Sequence, residues 1–360
     1  MRSVKKILWS CAVLAVVCGC TKLETPPNKN QPSGDGTGVY KVVAHRGGYQ
    51  ECARPDCSIS SLKYAIMLRC FASECDIVLT GDNDVLVAHP QSGYLVNGLE
   101  PFDHTVAEIR AAGTLANGEP VPTLRDFIRV LQDPELNPHG MRLWLDVKRL
   151  TKNGEEIDVN HSINACYRAC EIIKEMKAQS LCEFLIPTGG SIFDVVRDKV
   201  IDEYRINLAW MTCTHPDNYG KAWAQLSYDK IFGDNTAYGP MDYISAGVPL
   251  SVYNVDDDET MDAVIPYYPK LKAIFTNYPS KLIQKLRAQG GEPLRPQRPN
   301  RPTARMRPPF RLRDRLTAGF ERPRRKTNPS SIFFSRAPTP GSPATDASSP
   351  EAGDFLRIEG

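Results

Sequence analysis

The chain has 360 residues, with 44 Lys and Arg against 42 Asp and Glu, a net charge of +2, 41% hydrophobic residues, 29 Pro and 11 Cys. That length allows one large core, since single α/β barrels run to roughly 250 residues, and the composition excludes a disulfide mini-protein, a collagen and a polytopic membrane protein. The near-neutral total hides an uneven split: from Gly291 onward 14 basic residues face 7 acidic ones, giving +7, while residues 1–290 carry 30 − 35 = −5.

Residues 1–20 read MRSVKKILWSCAVLAVVCGC, a basic start followed by an apolar run over residues 7–17 and a small-residue approach to a cysteine. Such a run is too short for a bilayer core of about 30 Å and suits a secretory signal. Its end resembles the lipobox of bacterial lipoproteins, which implies a signal peptide over residues 1–19 and a diacylated Cys20 as the first mature residue. Residues 20–38 are rich in Pro, Gly, Ser and charge, cannot bury enough apolar surface to fold alone, and read as a flexible tether. The expected location is therefore the bacterial cell envelope, on its periplasmic or surface side, with the membrane as a partner through Cys20 and its acyl chains. Eight cysteines remain beyond this segment, at 52, 57, 70, 75, 166, 170, 182 and 213. Their spacings lack the two-residue knuckle of a zinc site, so they read as structural thiols or disulfides of undetermined pairing.

From residue 39 to 290, short β-branched or apolar runs alternate with longer segments of helical period. The runs cover residues 40–44, 73–79, 143–147, 183–186, 206–211, 230–232, 249–255 and 273–276, with helices expected over 60–68, 124–131, 163–178, 259–265 and 279–288. Eight βα repeats in this length predict a closed parallel barrel, an α/β fold of the TIM (β/α)8 type, with chemistry at the C-terminal ends of the strands.

Those ends are where the chemistry collects. The first run leads into Ala44-His45-Arg46-Gly47-Gly48, which offers a proton-transfer group, a bidentate anion clamp and a backbone free to approach a ligand. The second carries Glu74-Cys75-Asp76. Alternation on a strand aims both carboxylates at one spot and turns Cys75 to the other face. Two carboxylates on an inward face repel and lose solvation unless a cation or strong donors compensate them. After a turn at residues 80–84, a short strand at residues 85–88 delivers His89. The run over 143–147 then places Asp146 and Lys148 two apart, aimed at the same mouth. Three oxygen ligands, Glu74, Asp76 and Asp146, suit one hard divalent cation, Mg²⁺ or Ca²⁺, better than zinc. Two histidines with Arg46 and Lys148 suit a phosphate oxyanion with one proton to remove and one to give, which is phosphodiester cleavage.

The blocks His45-Arg46-Gly47, Pro55-Asp56-Cys57-Ser58, Glu74-Cys75-Asp76, Thr80-Gly81-Asp82, His89, Val121-Pro122-Thr123-Leu124, Asp146-Val147-Lys148, Tyr253-Asn254-Val255 and Thr276-Asn277-Tyr278-Pro279 resemble, in order and spacing, those of the glycerophosphodiester phosphodiesterase family. The resemblance implies a TIM barrel of the phospholipase C-like phosphodiesterase type that hydrolyses a small-molecule glycerophosphodiester to glycerol 3-phosphate and an alcohol. It implies Glu74, Asp76 and Asp146 as metal ligands, His45 and His89 as acid and base, and Arg46, Lys148 and Tyr253 as phosphate- or substrate-binding residues. The chain departs from the family pattern at His89-Pro90, where the family has His-Asp, at Pro55-Asp56-Cys57 for Pro-Glu-Asn, and at Asp146 for Glu. It also departs at Tyr253-Asn254-Val255 for Trp-Thr-Val and at Thr276-Asn277 for Thr-Asp. Two other readings fit the departures: a barrel that only binds, as an envelope lipoprotein, and a phospholipase-type enzyme acting on intact lipid.

Residues 291–360 hold twelve prolines with no apolar period and nearly all their positive charge on Arg. They read as a disordered Arg/Pro-rich tail, either an appended segment or a shifted reading frame, with no nucleic-acid partner expected.

Overall fold

The computed structural model describes residues 39–186 and 190–294. The expected signal peptide, Cys20, the tether and nearly all of the Arg/Pro-rich tail lie outside the described residues. No helix among the described residues is long and apolar enough to cross a membrane.

Eight parallel strands close into a barrel: β1 (Tyr40–Ala44), β2 (Cys70–Leu79), β3 (Arg142–Val147), β4 (Cys182–Ile186), β5 (Asn207–Trp210), β6 (Trp223–Ser227), β7 (Leu250–Tyr253) and β8 (Ala273–Thr276). Each pairs with its neighbour in chain order, and β1 pairs with both β2 and β8, so no parallel edge remains open. Helices Ile59–Met67, Leu124–Gln132, Val159–Glu175, Asp258–Val264 and Pro279–Ala288 are among those that wrap the barrel. The expected TIM (β/α)8 architecture is the one observed.

Alternation splits the apolar residues into two cores. Val43, Ala72, Trp144, Leu185, Ala209, Trp223, Ala273 and Phe275 fill the barrel interior. Their outward neighbours, Cys75, Ile77, Leu145 and Phe184 among them, pack under the helices. All eight cysteines between residues 52 and 213 are free thiols, and six of them are buried. A smaller cluster around Val78, Leu86, Val96, Ile109 and Val121 seats the long β2-to-β3 connection.

One expected strand is corrected. Residues 230–232 end the helix Tyr228–Phe232, and the sixth strand is Trp223–Ser227. Its inward positions alternate Trp223, Gln225 and Ser227, so polar residues break the apolar run that marks a strand buried on both faces. The two apolar residues Ile231 and Phe232 are too few to distinguish period 2 from period 3.6. The helix expected over 163–178 begins at Val159 instead, because the Asp158 carboxylate caps it by accepting from Asn160 N.

The closed end of the barrel is plugged by charge. Glu183, buried on β4, meets Arg142 Nη1 at 3.1 Å and Lys272 Nζ at 2.8 Å, and the Lys272 ammonium lies 4.5 Å from the Trp223 ring centroid. Burial works to raise the Glu183 pKa, yet Lys272 and Arg142 hold it below the usual value. Breaking a buried pair strands the partner charges, so Glu183→Gln should cost about 3 kcal/mol of unfolding free energy by denaturant titration. Beside this plug, Leu294 N donates to Val39 O at 2.8 Å, so both ends of the described chain meet at the closed end, opposite the strand C-termini.

Candidate active site

The turn after β1 sets the first part of the site. Arg46 stands at φ 46° between His45 and two glycines at φ 81° and 75°. Gly47 is required there: a Cβ on it would lie 2.6 Å from the Ser61 carbonyl carbon, and its backbone is left-handed. This winding points the Arg46 N–H at Glu74 Oε2, 2.9 Å away, and swings the guanidinium over β2.

The three acidic residues converge as alternation predicts. Glu74, Asp76 and Asp146 are buried, and one oxygen from each lies within 4.8 Å of the others. Asp76 and Asp146 face each other in the β2–β3 register. Lys148 Nζ bridges them, 2.8 Å from Asp76 Oδ1 and 2.6 Å from Asp146 Oδ2, and Arg46 Nε lies 2.9 Å from Asp76 Oδ2. With all three carboxylates ionised, the two cations leave the cluster at −1, before Asp56 at its edge is counted. Burial, and then Asp76 and Asp146, push the Glu74 pKa well up. Burial also works to raise Asp76, but Lys148 and Arg46 outweigh it and hold that carboxyl below its usual value. Asp146 Oδ1 is buried with no hydrogen-bond partner among the described residues. An excess negative charge and an orphaned carboxylate oxygen in a site of oxygen donors fit a hard divalent cation.

His45 is oriented by Asn277, which the sequence marked only as a departure from the family pattern, and by Asp256, which it did not single out. Its Nδ1 lies 2.7 Å from Asn277 Oδ1, and Asn277 donates its backbone N–H to Asp256 Oδ1 and its Nδ2 to Asp256 Oδ2, both at 2.7 Å. Because Asp256 takes the amide N–H, Asn277 presents its oxygen to the ring, which places the proton on Nδ1 and leaves the Nε2 lone pair toward Glu74 Oε2, 3.9 Å away. Burial, then Arg46, lowers the His45 pKa to about 4, so the ring is neutral at pH 7. Asp256 opens the run Asp256-Asp257-Asp258, whose composition reads as a helix start. Only the fold brings it beneath Asn277.

His89 follows the short strand Val85–Val87, which pairs antiparallel with β2, and Ala88 N donates to Asp76 O at 3.0 Å. The imidazole is solvent-exposed at the rim, and its pKa is lowered by burial of part of the ring, with Asp76 opposing. Tyr253 ends β7 on the same rim. Its ring meets Phe275 edge-on at 6.0 Å, and Phe275 in turn lies 5.1 Å from His45. At the departure Pro55-Asp56-Cys57, the Cys57 thiol contacts Asp76 Oδ2 at 3.5 Å and Asp56 pairs with Arg46 Nη1 at 3.2 Å. All eight candidate residues thus sit at the C-terminal mouth of the barrel.

Comparison with family models and with curated proteins finds no match. Solved structures do match. A glycerophosphodiester phosphodiesterase from Parabacteroides distasonis is similar at TM-score 0.56 and 21% identity, over 71% of this chain and 100% of that one. A putative glycerophosphoryl diester phosphodiesterase from Silicibacter pomeroyi gives TM-score 0.56 and 15% identity over 72% and 97%. A phosphodiesterase from Oleispira antarctica, solved in complex with the product sn-glycerol-3-phosphate, gives 0.52 and 20% over 69% and 97%. At these identities the shared property is the fold, and this chain is a TIM barrel of the kind found in those glycerophosphodiester phosphodiesterases.

Proposed function

We propose that the protein is a metal-dependent phosphodiesterase that hydrolyses glycerophosphodiesters to glycerol 3-phosphate and an alcohol. The observation that carries this reading is the meeting of Glu74, Asp76 and Asp146 beside a tautomer-fixed His45 and the cations Arg46 and Lys148. The Parabacteroides and Oleispira enzymes of the same fold support it, the latter with glycerol 3-phosphate as its product.

In this reading Arg46 and Lys148 hold the phosphoryl oxygens, and Tyr253 contributes to the wall of the mouth. His45, with a bare Nε2, takes the proton of the attacking hydroxyl, whether that of the substrate glycerol or of water. His89, exposed at the rim, gives a proton to the departing alcohol. Glu74, Asp76 and Asp146 would hold Mg²⁺ or Ca²⁺, which when bound polarises a phosphoryl oxygen as a Lewis acid.

The deciding experiment is release of glycerol 3-phosphate from glycerophosphocholine by the purified protein with Mg²⁺ or Ca²⁺, and its loss with EDTA. Metal binding without turnover on a panel of diesters would instead favour a binding lipoprotein. A pH prediction follows from the two imidazoles. A base works only above its pKa and an acid only below its own, so kcat/KM should rise through about pH 4 as His45 sheds its proton. It should fall again below the ordinary imidazole midpoint of about 6.5 as His89 loses its proton, since that pKa is lowered. An optimum above neutrality would reject this assignment. For residues outside the described part, the sequence supports acylation at Cys20 and a place in the cell envelope.

A further inference from the structure

We propose that the closed end of the barrel is a seat for an anionic phospholipid surface, formed by Met67, Arg69 and Arg287 and continued by the basic chain that follows Leu294. The helices Ile59–Met67 and Pro279–Ala288 run back from the mouth, so their last turns lie at the pole that also carries the start of β2 and the Val39–Leu294 bridge. Between the two helices is a cleft of about 200 Å³ whose lining includes Met67, Arg69, Ile283 and Arg287. No carboxylate is among its lining residues.

Three observations favour a lipid surface. Met67 is 66% exposed, the most exposed large apolar side chain among the described residues, and stands beside both arginines. Arg69 occupies the left-handed turn before β2, at φ 59°, and the Arg287 guanidinium lies 5.4 Å from the Tyr40 ring centroid, so both charges are held at this pole. Guanidinium groups take phosphate oxygens in bidentate pairs, and an apolar side chain next to them enters the headgroup layer. The Glu51 carboxylate reaches the cleft's Ser280, whose Oγ it holds at 2.6 Å, so the cleft with Glu51 counted keeps +1. The larger charge lies in the chain beyond. Residues 295–326 continue from Leu294 with 11 Arg and one Lys against two acidic residues, a net +10, interleaved with Phe310, Leu312, Leu316 and Phe320. Residues 1–290 carry −5, so the basic charge is concentrated where the chain leaves the barrel. Each basic residue at an anionic bilayer adds roughly a fivefold factor in partition. A last-turn arginine also complements its helix's terminal carbonyls, but that role asks nothing of Met67 or of residues 295–326. The apolar members of the set favour a bilayer over a nucleic acid, whose backbone is gripped by charge.

The test uses the full chain with two kinds of vesicle, phosphatidylcholine alone and phosphatidylcholine mixed with phosphatidylglycerol. The apolar run over residues 7–17 and any acyl chain at Cys20 meet the same hydrocarbon in both, so the comparison isolates charge. Cosedimentation should show a partition at least about tenfold higher into the anionic vesicles. Arg69→Asn combined with Arg287→Gln should lower that partition at least about fivefold, while Arg69→Lys combined with Arg287→Lys, which keeps both charges, should stay within about threefold of the parent. Met67→Trp changes one exposed side chain and reports contact directly: brominated phosphatidylglycerol should quench the added indole, read as the difference from the parent. Should the charge-removing variant fail to fold, the quenching decides by itself. Equal partition into both vesicles would overturn the seat, as would anionic partition without quenching and without loss in the charge-removing variant. Single-stranded RNA that displaces the protein from anionic vesicles at equal phosphate concentration would also overturn it, since the basic end would then belong to a nucleic acid.

Discussion

Replacing Glu74 by Gln should lower kcat/KM about 10³-fold and, in the presence of a chelator, raise the melting temperature. The two effects have one cause. Glu74 is buried among Asp76 and Asp146, and burial with their charges raises its pKa well above the ordinary carboxylate value. A group whose folded-state pKa is raised contributes stability below its unfolded pKa and loses it as pH rises through the folded value. At neutral pH without a divalent cation, Glu74 therefore works against the fold. Gln removes the charge, keeps an oxygen to accept the Arg46 N–H, and should stabilise the metal-free protein by at least about 1 kcal/mol, roughly 2–4 °C for a domain of this size. The lost rate would reflect several kcal/mol of charge stabilisation that the three carboxylates would supply through a bound cation. Melting curves in EDTA and in Mg²⁺ or Ca²⁺ give the check. A variant that melts lower than the parent in EDTA, or a parent indifferent to all divalent cations, would contradict the metal site.

His45→Ala should lower kcat by about 10²- to 10⁴-fold, the usual contribution of a positioned proton-transfer group, with KM changed by no more than a few-fold. The ring is partly open to the mouth and packs against Phe275 on one side, so its loss should leave the melting temperature close to that of the parent. Asn277→Leu leaves the ring in place but removes the acceptor that fixes its tautomer, and a smaller loss, about tenfold, is expected. Steady-state kinetics on glycerophosphocholine measure both. If His45→Ala retained more than a tenth of the parent kcat, the imidazole would not be the base.

The acidic cluster was legible because strand alternation is a strict rule: Glu74 and Asp76, two apart, had to share a face, and Cys75 had to leave it. The same rule placed Asp146 with Lys148, now 2.6 Å apart. His45 and His89 were legible because each follows a short apolar run at a strand exit. The sixth strand was not, since Gln225 and Ser227 point inward and erase the apolar signature. Asp256 and the positioning role of Asn277 were not legible either. They lie 21 residues apart and meet only because β7 and β8 are neighbours, a long-range pairing that no local pattern reports. The contacts of Cys57 and Asp56 with Asp76 and Arg46 were visible only as departures from a motif, with no indication of their partners.

The Val39–Leu294 pairing has a bearing on access. Whatever pulls on either end of the described chain pulls on the floor of the barrel, and the mouth that holds the candidate residues is the far pole. With Cys20 acylated as proposed, the anchor would join the barrel at its base, so that attachment there does not cover the opening. The same geometry makes a handle at Val39 or Leu294 suitable for immobilising the barrel without obstructing its mouth.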